Sequence, residues 1–300
     1  MPTLRTIEQD IGDLAYIQNV METYELVAAT YMRRTKQSII QSRAFYEGLQ
    51  HAYDEVSRAN HEELAHIKES HSFFKAGFWK NITTRMRHRR EAAIWLSANT
   101  GLYGDIIQKT FAAFLEHISS VKTDIVIVGK RGKLLFDERM PRTRYTYRDL
   151  PDTVTDIHNL ASFMDLFSTY ERIRVFYGKF ESFVVQTPVS TVLGEELEQA
   201  SSAVTQNPTE MHPATQYIFE PSLKEIAYFF ETEIATSLFQ QITEESRLAK
   251  LAARMYQLDA AIGNISGTLS SITFERQRLL HQLENKRQLE LINSRIALGI

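Results

Sequence analysis

Over the first part of the chain, apolar side chains return every three or four positions. Leu4, Ile7, Ile11, Leu14, Ile17, Met21, Tyr24, Val27, Tyr31 and Met32 follow that rhythm. Such spacing gathers them on one stripe of a helix. Of the 7 prolines only Pro2 lies outside residues 141–221, and Gly12 is the only glycine before Gly48. Proline breaks helix interiors, so both ends of the chain can be long helices and the middle cannot. One helix is predicted from about Thr3 to about Ser70. At about 1.5 Å per residue, some 55 residues span roughly 80 Å. A helix of that length needs a partner helix or another protein.

The other end supplies a partner. Leu248, Leu251, Met255, Leu258, Ile262, Ile265, Leu269 and Ile272 alternate three and four apart, and Leu279 and Leu283 extend the series. Sustained heptad spacing signals a coiled coil, and a 3.5-residue period implies a left-handed supercoil. Gly263 and Gly267 lower helix propensity by about 1 kcal/mol each against Ala. They are expected where another backbone passes close by. The helix should start just after Glu220-Pro221-Ser222.

The middle alternates. Ala92–Ala98 reads as a strand, Asp105–Ile118 as an amphipathic helix, and Asp124–Gly129 as a short buried strand. Thr153–Tyr170 reads as a helix capped by Thr153 or Asp152. Arg172–Tyr177 and Phe183–Thr187, with Pro188 beyond, read as further strands. This succession predicts a largely parallel sheet. Thr191–His212 reads as a surface excursion. The predicted class is α/β with long helices. An antiparallel left-handed coiled coil of the two ends (1–75 and 216–300) encloses a Rossmann-like insert (76–215).

Composition narrows the function. Apolar residues make up 43% and charged residues 24% of 300, enough for a globular core. A net charge of -3 argues against a general nucleic-acid binder. With no Cys, disulfides, thiolate metal sites and a dithiol switch are excluded. No run approaches the ~20 apolar residues of a membrane helix, and the charged start lacks a signal core. A cytoplasmic or peripheral protein is expected.

Candidate chemistry is sparse. Gly129-Lys-Arg-Gly132 follows an apolar run but lacks phosphate-loop spacing, so a tight strand-to-helix turn is the better reading. Gly101-Leu-Tyr-Gly104 reads as a turn that lets the next helix pack. His51, His61, His66 and His71 share the first helix. His61 and His66 are five apart where zincins need four. Glu63 and His66 make one Glu-x-x-His where di-iron bundles need two. A solvated face is preferred there, as it is for the basic run Arg85, Arg87, His88, Arg89 and Arg90. No catalytic, cofactor or metal residues are assigned.

Several strings, in order and at compatible spacing, match a known pattern. Glu25-Leu-Val-Ala-Ala-Thr-Tyr-Met-Arg-Arg34 is similar to "M-V-A-A-x-K-x-R-(R/K)", and Ser42-Arg43-Ala44-Phe45-Tyr46 follows it at the place of an "R-P-Y" region. Asp124–Gly132 with Phe136, Val175–Phe180 and Gln186-Thr-Pro188 resemble successive insert motifs. Ala252-Ala253-Arg254-Met255 resembles "A-A-R-M", with Asn264 beyond it. Together they resemble the gamma subunit of F-type ATP synthases over nearly the whole chain.

The resemblance implies a non-catalytic central rotor shaft. Its expected partners are the alpha and beta subunits of the F1 hexamer, an epsilon-type subunit and the membrane c-ring. It implies no cofactor, no nucleic acid and a peripheral place on the cytoplasmic face of the inner membrane. It assigns rotor–stator contacts to Tyr24, Glu25, Arg33, Arg34, Arg254, His281 and Arg287. The tail Arg287–Ile300 would lie deepest in the hexamer. Departures stand at Ile7-Glu8-Gln9-Asp10-Ile11, at Glu22-Thr23-Tyr24, at Asn99–Asp105, and near Leu280 and His281. Those positions normally touch the catch loop of the catalytic beta subunits, so the departures put these contacts in doubt and raise an alternative, the shaft of a specialised F1-like motor that does not make ATP. A third reading, an α/β enzyme with a helical stalk, would bind a small ligand at the carboxyl ends of the strands.

Overall fold

The structure is a computed structural model that describes residues 3–59, 91–152, 163, 170, 172–193, 220 and 222–297. The elements are α1 (Leu4–Ala59), β1 (Glu91–Leu96), α2 (Ile106–Ser120), β2 (Asp124–Val128), α3 (Lys130–Arg139), β3 (Thr146–Arg148), β4 (Arg172–Phe180), β5 (Gln186–Leu193) and α4 (Leu223–Ala297). Contacts divide the chain into two units, Met1–Thr30 with Arg254–Ile300, and Tyr31–Ala253.

Both long helices start on a hydroxyl cap. The Thr6 N–H donates to Thr3 Oγ1 at 3.3 Å, and the Glu225 N–H donates to Ser222 Oγ at 3.3 Å. Each cap satisfies one of the orphan donors of a helix start.

In the first unit α1 and α4 run antiparallel. Gln18 Nε2 donates to Ser266 Oγ at 3.4 Å, and Arg276 donates to Glu8 Oε1 from Nε at 3.1 Å and Nη2 at 2.9 Å. Ile7, Ile11, Leu14, Gln18, Met21, Glu25 and Ala28 of α1 are covered at heptad spacing, with Leu4, Ala15, Val20 and Ala29 also half-buried. This differs from the apolar series read in the sequence. Ile17, Tyr24 and Val27 are 41%, 59% and 44% exposed, while polar Gln18 and Glu25 take the seam. Partner geometry demands a 3.5-residue period, and the apolar residues drift off it. On α4 the seam holds Leu258, Ile262, Ile265, Leu269, Ile272, Arg276 and Leu279. Leu283, read as part of it, is 53% exposed, because Arg276 already lies beside Glu8 and α1 ends a turn further on.

The second unit is a three-layer insert. Its sheet order is β3-β2-β1-β4-β5, parallel throughout except for the antiparallel β4–β5 pair. Because β1 is central, it is apolar on both sides. Ala92, Ile94 and Leu96 face Tyr46 and Tyr53 of α1 and Ile234, Leu238, Phe239 and Ile242 of α4. Ala93 and Trp95 face Ile106, Ile107 and Phe114 of α2 and Phe136 of α3. Trp95 is fully buried, stacks on Phe111 at 4.6 Å and donates Nε1–H to Thr110 Oγ1 at 3.1 Å, so its one polar atom is satisfied. The seam of α1 in this unit carries Met32, Thr35, Ile39, Ser42, Tyr46, Leu49, Tyr53 and Val56.

Three expectations change. The last strand is Gln186–Leu193 rather than Phe183–Thr187. Phe183 to Val185 form the turn before it, and Pro188 sits within it opposite Gly178. An edge strand tolerates that proline. Arg139 ends a helix, α3, that the sequence reading did not separate, and β3 follows it. No backbone approaches Gly263 or Gly267; a Cβ there would meet nothing within 4 Å among the described residues. The predicted helix 153–170 lies outside the described residues apart from helical Phe163 and non-helical Tyr170. Residues 60–70, the basic run 85–90, and 194–212 lie outside them too.

Replacing Gly263 and Gly267 by Ala is expected to stabilise α4 by about 1 kcal/mol per site. Thermal unfolding of the double variant measures it; a lower midpoint would show a close approach that the fold does not contain.

Candidate functional site

The carboxyl edge of an open parallel sheet is where ligands usually bind, so that edge is the place to look. β1 ends at Leu96 and the chain turns away through Ser97–Gly104. β2 ends at Val128, and Gly129 turns it into α3 with φ 98. A Cβ on Gly129 would lie 2.8 Å from the Ala98 carbonyl oxygen, so both the turn and the close approach require glycine. The Arg131 N–H donates to Ala98 O at 2.9 Å, and the Lys130 N–H donates to Asn99 Oδ1 at 2.8 Å. The expected strand-to-helix turn is therefore present, anchored by backbone and by Asn99.

Asp152 fills the centre of this edge. Its Oδ2 accepts from the N–H groups of Asn99 (2.9 Å) and Thr100 (3.1 Å), from Thr100 Oγ1 (3.1 Å) and from the Tyr103 hydroxyl (3.1 Å). Its Oδ1 faces Lys250 Nζ of α4 at 3.4 Å, and that ammonium also donates to Ser97 O at 2.8 Å. Both side chains are nearly buried, 11% and 12% exposed. Asn99 adds donations from Nδ2 to Asp149 Oδ1 and Leu150 O, each 2.9 Å. An aspartate at 99 could accept from Lys130 but could not donate to Asp149 or Leu150.

Burial acts to raise the Asp152 pKa. The Lys250 ammonium, the Asn99 and Thr100 amides and the Tyr103 hydroxyl outweigh it, so the carboxyl lies below its ordinary value. Arg247 lines the same pocket. Burial draws its pKa down, against the pull of the Glu244 and Asp152 carboxylates. The remaining cavity, between Ser97, Asp152, Thr243, Ser246 and Lys250, holds about 20 Å³, room for one water. The loop bears strain as well. Leu102 has φ 66 and is 64% exposed, a conformation that costs a non-glycine residue about 1–2 kcal/mol.

Sequence reasoning noticed Gly101–Gly104 as a turn and Asp152 as a helix cap, but not their union, and it gave Lys250 no role. The signal was an Asn-Thr-Gly turn directly after a buried strand.

The residues singled out as contacts do not form one site. Tyr24 is exposed, Glu25 is half-buried on the seam, Arg33 and Arg34 are exposed, and Arg254 is half-buried. His281, 3.7 Å from Glu284, and Arg287 are exposed. The Glu8–Arg276 pair places His281 beyond the start of α1. Tyr24 lies about 24 Å from Glu8 in the opposite direction, at about 1.5 Å per residue. His51 is exposed, whereas His61, His66 and His71 lie outside the described residues. Among the described residues no group of His, Asp and Glu could hold a metal ion, and no helix is long and apolar enough to cross a membrane.

An antiparallel pair of long helices in one unit and an α/β sheet covered on both faces in the other define a long-helix α/β protein. Comparison with known proteins gives the family. The ATP synthase family model matches residues 3–280, and the chain belongs to that family, among its gamma chains. The ATP synthase gamma chain of Protochlamydia amoebophila is 22% identical over 297 residues, covering 97% of each chain. That of Cytophaga hutchinsonii is 23% identical over the full length of both. Among solved structures, the Euglena gracilis mitochondrial ATP synthase contains a chain matching 98% of this one, with TM-score 0.59 and 13% identity. The central stalk and c-ring of the Tetrahymena thermophila enzyme contains another, covering 81% with TM-score 0.51 and 13% identity.

The folded pKa of Asp152 lies below its unfolded value of about 3.9, so ionisation adds stability that is fully present above about pH 4. That stability drains away as pH falls through the folded pKa. Urea unfolding between pH 2 and 6 should show Asp152→Asn less stable than the parent near neutrality and converging with it in acid. A constant gap across that range would contradict the assignment.

Proposed function

We propose that this chain is the central-stalk rotor subunit of a membrane-attached F-type ATP synthase. It couples ion-driven rotation of a c-ring to ATP synthesis and hydrolysis in catalytic beta subunits, and has no chemistry of its own. The coiled-coil ends, 1–75 and 216–300, form the shaft, and the insert, 76–215, forms the foot.

One observation supports this reading above the others. From His281 to Ser294 every residue of α4 is exposed, although the helix continues to Ala297. Leu283, Leu289, Leu291 and Ile292 stand 53–61% exposed on it. A single helix with leucines in water is marginal by itself, and clustered exposed apolar residues mark a contact surface. About 17 residues at about 1.5 Å each make some 25 Å of helix suited to an apolar sleeve. The alpha and beta subunits of an F1 hexamer would supply that sleeve. Tyr24, Glu25, Arg33, Arg34, Arg254, His281 and Arg287 would meet the stator. The foot would meet an epsilon-type subunit and the ring on the cytoplasmic face of the inner membrane. Departures from the family pattern at Glu22-Thr23-Tyr24 and His281, where contacts with the beta catch loop are expected, raise a specialised motor without ATP synthesis as a second reading, which the gamma-chain matches over 97–100% of this chain do not favour.

The test is affinity purification of the tagged chain from its own cells, with mass spectrometry of its partners. Alpha, beta, epsilon-type and ring subunits together are the expected result. Catalytic subunits without a ring would favour the specialised motor. Neither alpha nor beta would contradict both readings.

Removing residues 281–300 should leave the midpoint of thermal unfolding nearly unchanged, since residues 281–294 are all exposed. It should weaken co-purification of alpha and beta. A large loss of stability would show that the segment folds against its own chain.

A further inference from the structure

The Asp152 cluster has the parts of an anion-binding site. Two successive backbone N–H groups, Asn99 and Thr100, aim at one point, which is the arrangement of an anion-binding nest. Two hydroxyls, Thr100 Oγ1 and the Tyr103 OH, converge on the same oxygen. An ammonium, Lys250 Nζ, faces the second oxygen at 3.4 Å. The cluster stands at the carboxyl edge of β1, where parallel sheets receive the charged groups of their ligands. Here a side chain of the same polypeptide fills it, and the residual space accommodates one water.

We propose that this edge is a small-carboxylate site carrying its own ligand: Asp152 occupies a preformed cradle that binds a free carboxylate of the same size when the side chain is removed. The cradle brings four segments together. These are the loop 97–104, the segment 149–152 after β3, the N-terminus of α3 through Asn99, and α4 through Lys250. The built-in ligand therefore joins the α4 helix to the sheet within the insert unit. It also holds Leu102 at its strained φ, because Asn99, Thr100 and Tyr103 on both sides of that residue are fixed by one carboxylate. The proposal stands on this geometry alone, so its failure would leave the rotor reading untouched.

The experiment uses the full chain carrying Asp152→Ala, which deletes the carboxylate and leaves a space of formate's size. Thermal midpoints are read against sodium formate and against sodium chloride at equal ionic strength. The variant is expected to melt below the parent. Formate should restore most of the loss in a saturable manner, chloride should not, and Lys250→Met added to Asp152→Ala should abolish the rescue. Equal effects of formate and chloride, or an equal formate effect on the parent, would overturn the proposal.

If Asp152→Ala does not fold, the isosteric Asp152→Asn gives the second reading, in a double-mutant cycle with Lys250→Met. Charge pairing in the cradle predicts that Lys250→Met shifts the unfolding equilibrium about tenfold less in the Asn background than in the parent. Equal shifts in the two backgrounds would overturn it.

Discussion

Everything in this protein depends on two helices, far apart in sequence, closing on each other at a 3.5-residue period. Neither α1 nor α4 has a core of its own: α1 buries a seam, and α4 is buried or half-buried at every position from Ile234 to Ala253, between α1 and the sheet. Apolar contact along such a seam stabilises but does not fix register, since leucine slides past leucine. Polar residues on the seam fix it. In the first unit these are Gln18 with Ser266 and Glu8 with Arg276. In the second, Ser38 Oγ donates to the buried Glu244 Oε1 at 2.6 Å, and Gln240 faces Ser42 at 3.5 Å. A slipped register would leave the Glu244 carboxylate without that donor at a buried position, which is costly. The exposed Glu8–Arg276 pair adds only about 0.2–1 kcal/mol, so its contribution is to alignment more than to stability.

The insert meets the opposite constraint, a sheet apolar on both faces. The long helices cover one face and α2 with α3 cover the other. The two ends of the chain thus serve twice, as each other's partner and as one wall of the insert core. Such a layered parallel sheet normally leaves a crevice at its carboxyl edge. Here Asp152 and Lys250 fill it, and the α/β scaffold is joined to a helix where a substrate would otherwise sit.

Much of this was legible in the residues. Proline placement marked where helices could run, and buried β1 and β2 read as apolar runs because parallel strands have no solvent face. The family strings lie on the elements that they implied. What escaped reading has physical causes. Ile17, Tyr24 and Val27 look like a stripe because three-and-four spacing tolerates one-residue drift, but a partner helix does not. Residues 186–193 hid a strand behind Pro188, which is acceptable only at an edge that the sequence does not announce. Asp152 and Lys250 are 98 positions apart, and no local pattern couples them. Leu283 continued a heptad whose partner helix had already ended.

The central claim is that this chain turns as a shaft, and rotation itself is the direct observable. The chain contains no cysteine, so Gln108→Cys, exposed on α2 of the insert, gives a single label site on this subunit. With the alpha and beta subunits of its own complex immobilised, a bead on that cysteine should rotate stepwise in one direction on addition of ATP. A bead that stays fixed or diffuses randomly, on complexes that still hydrolyse ATP, would contradict the account.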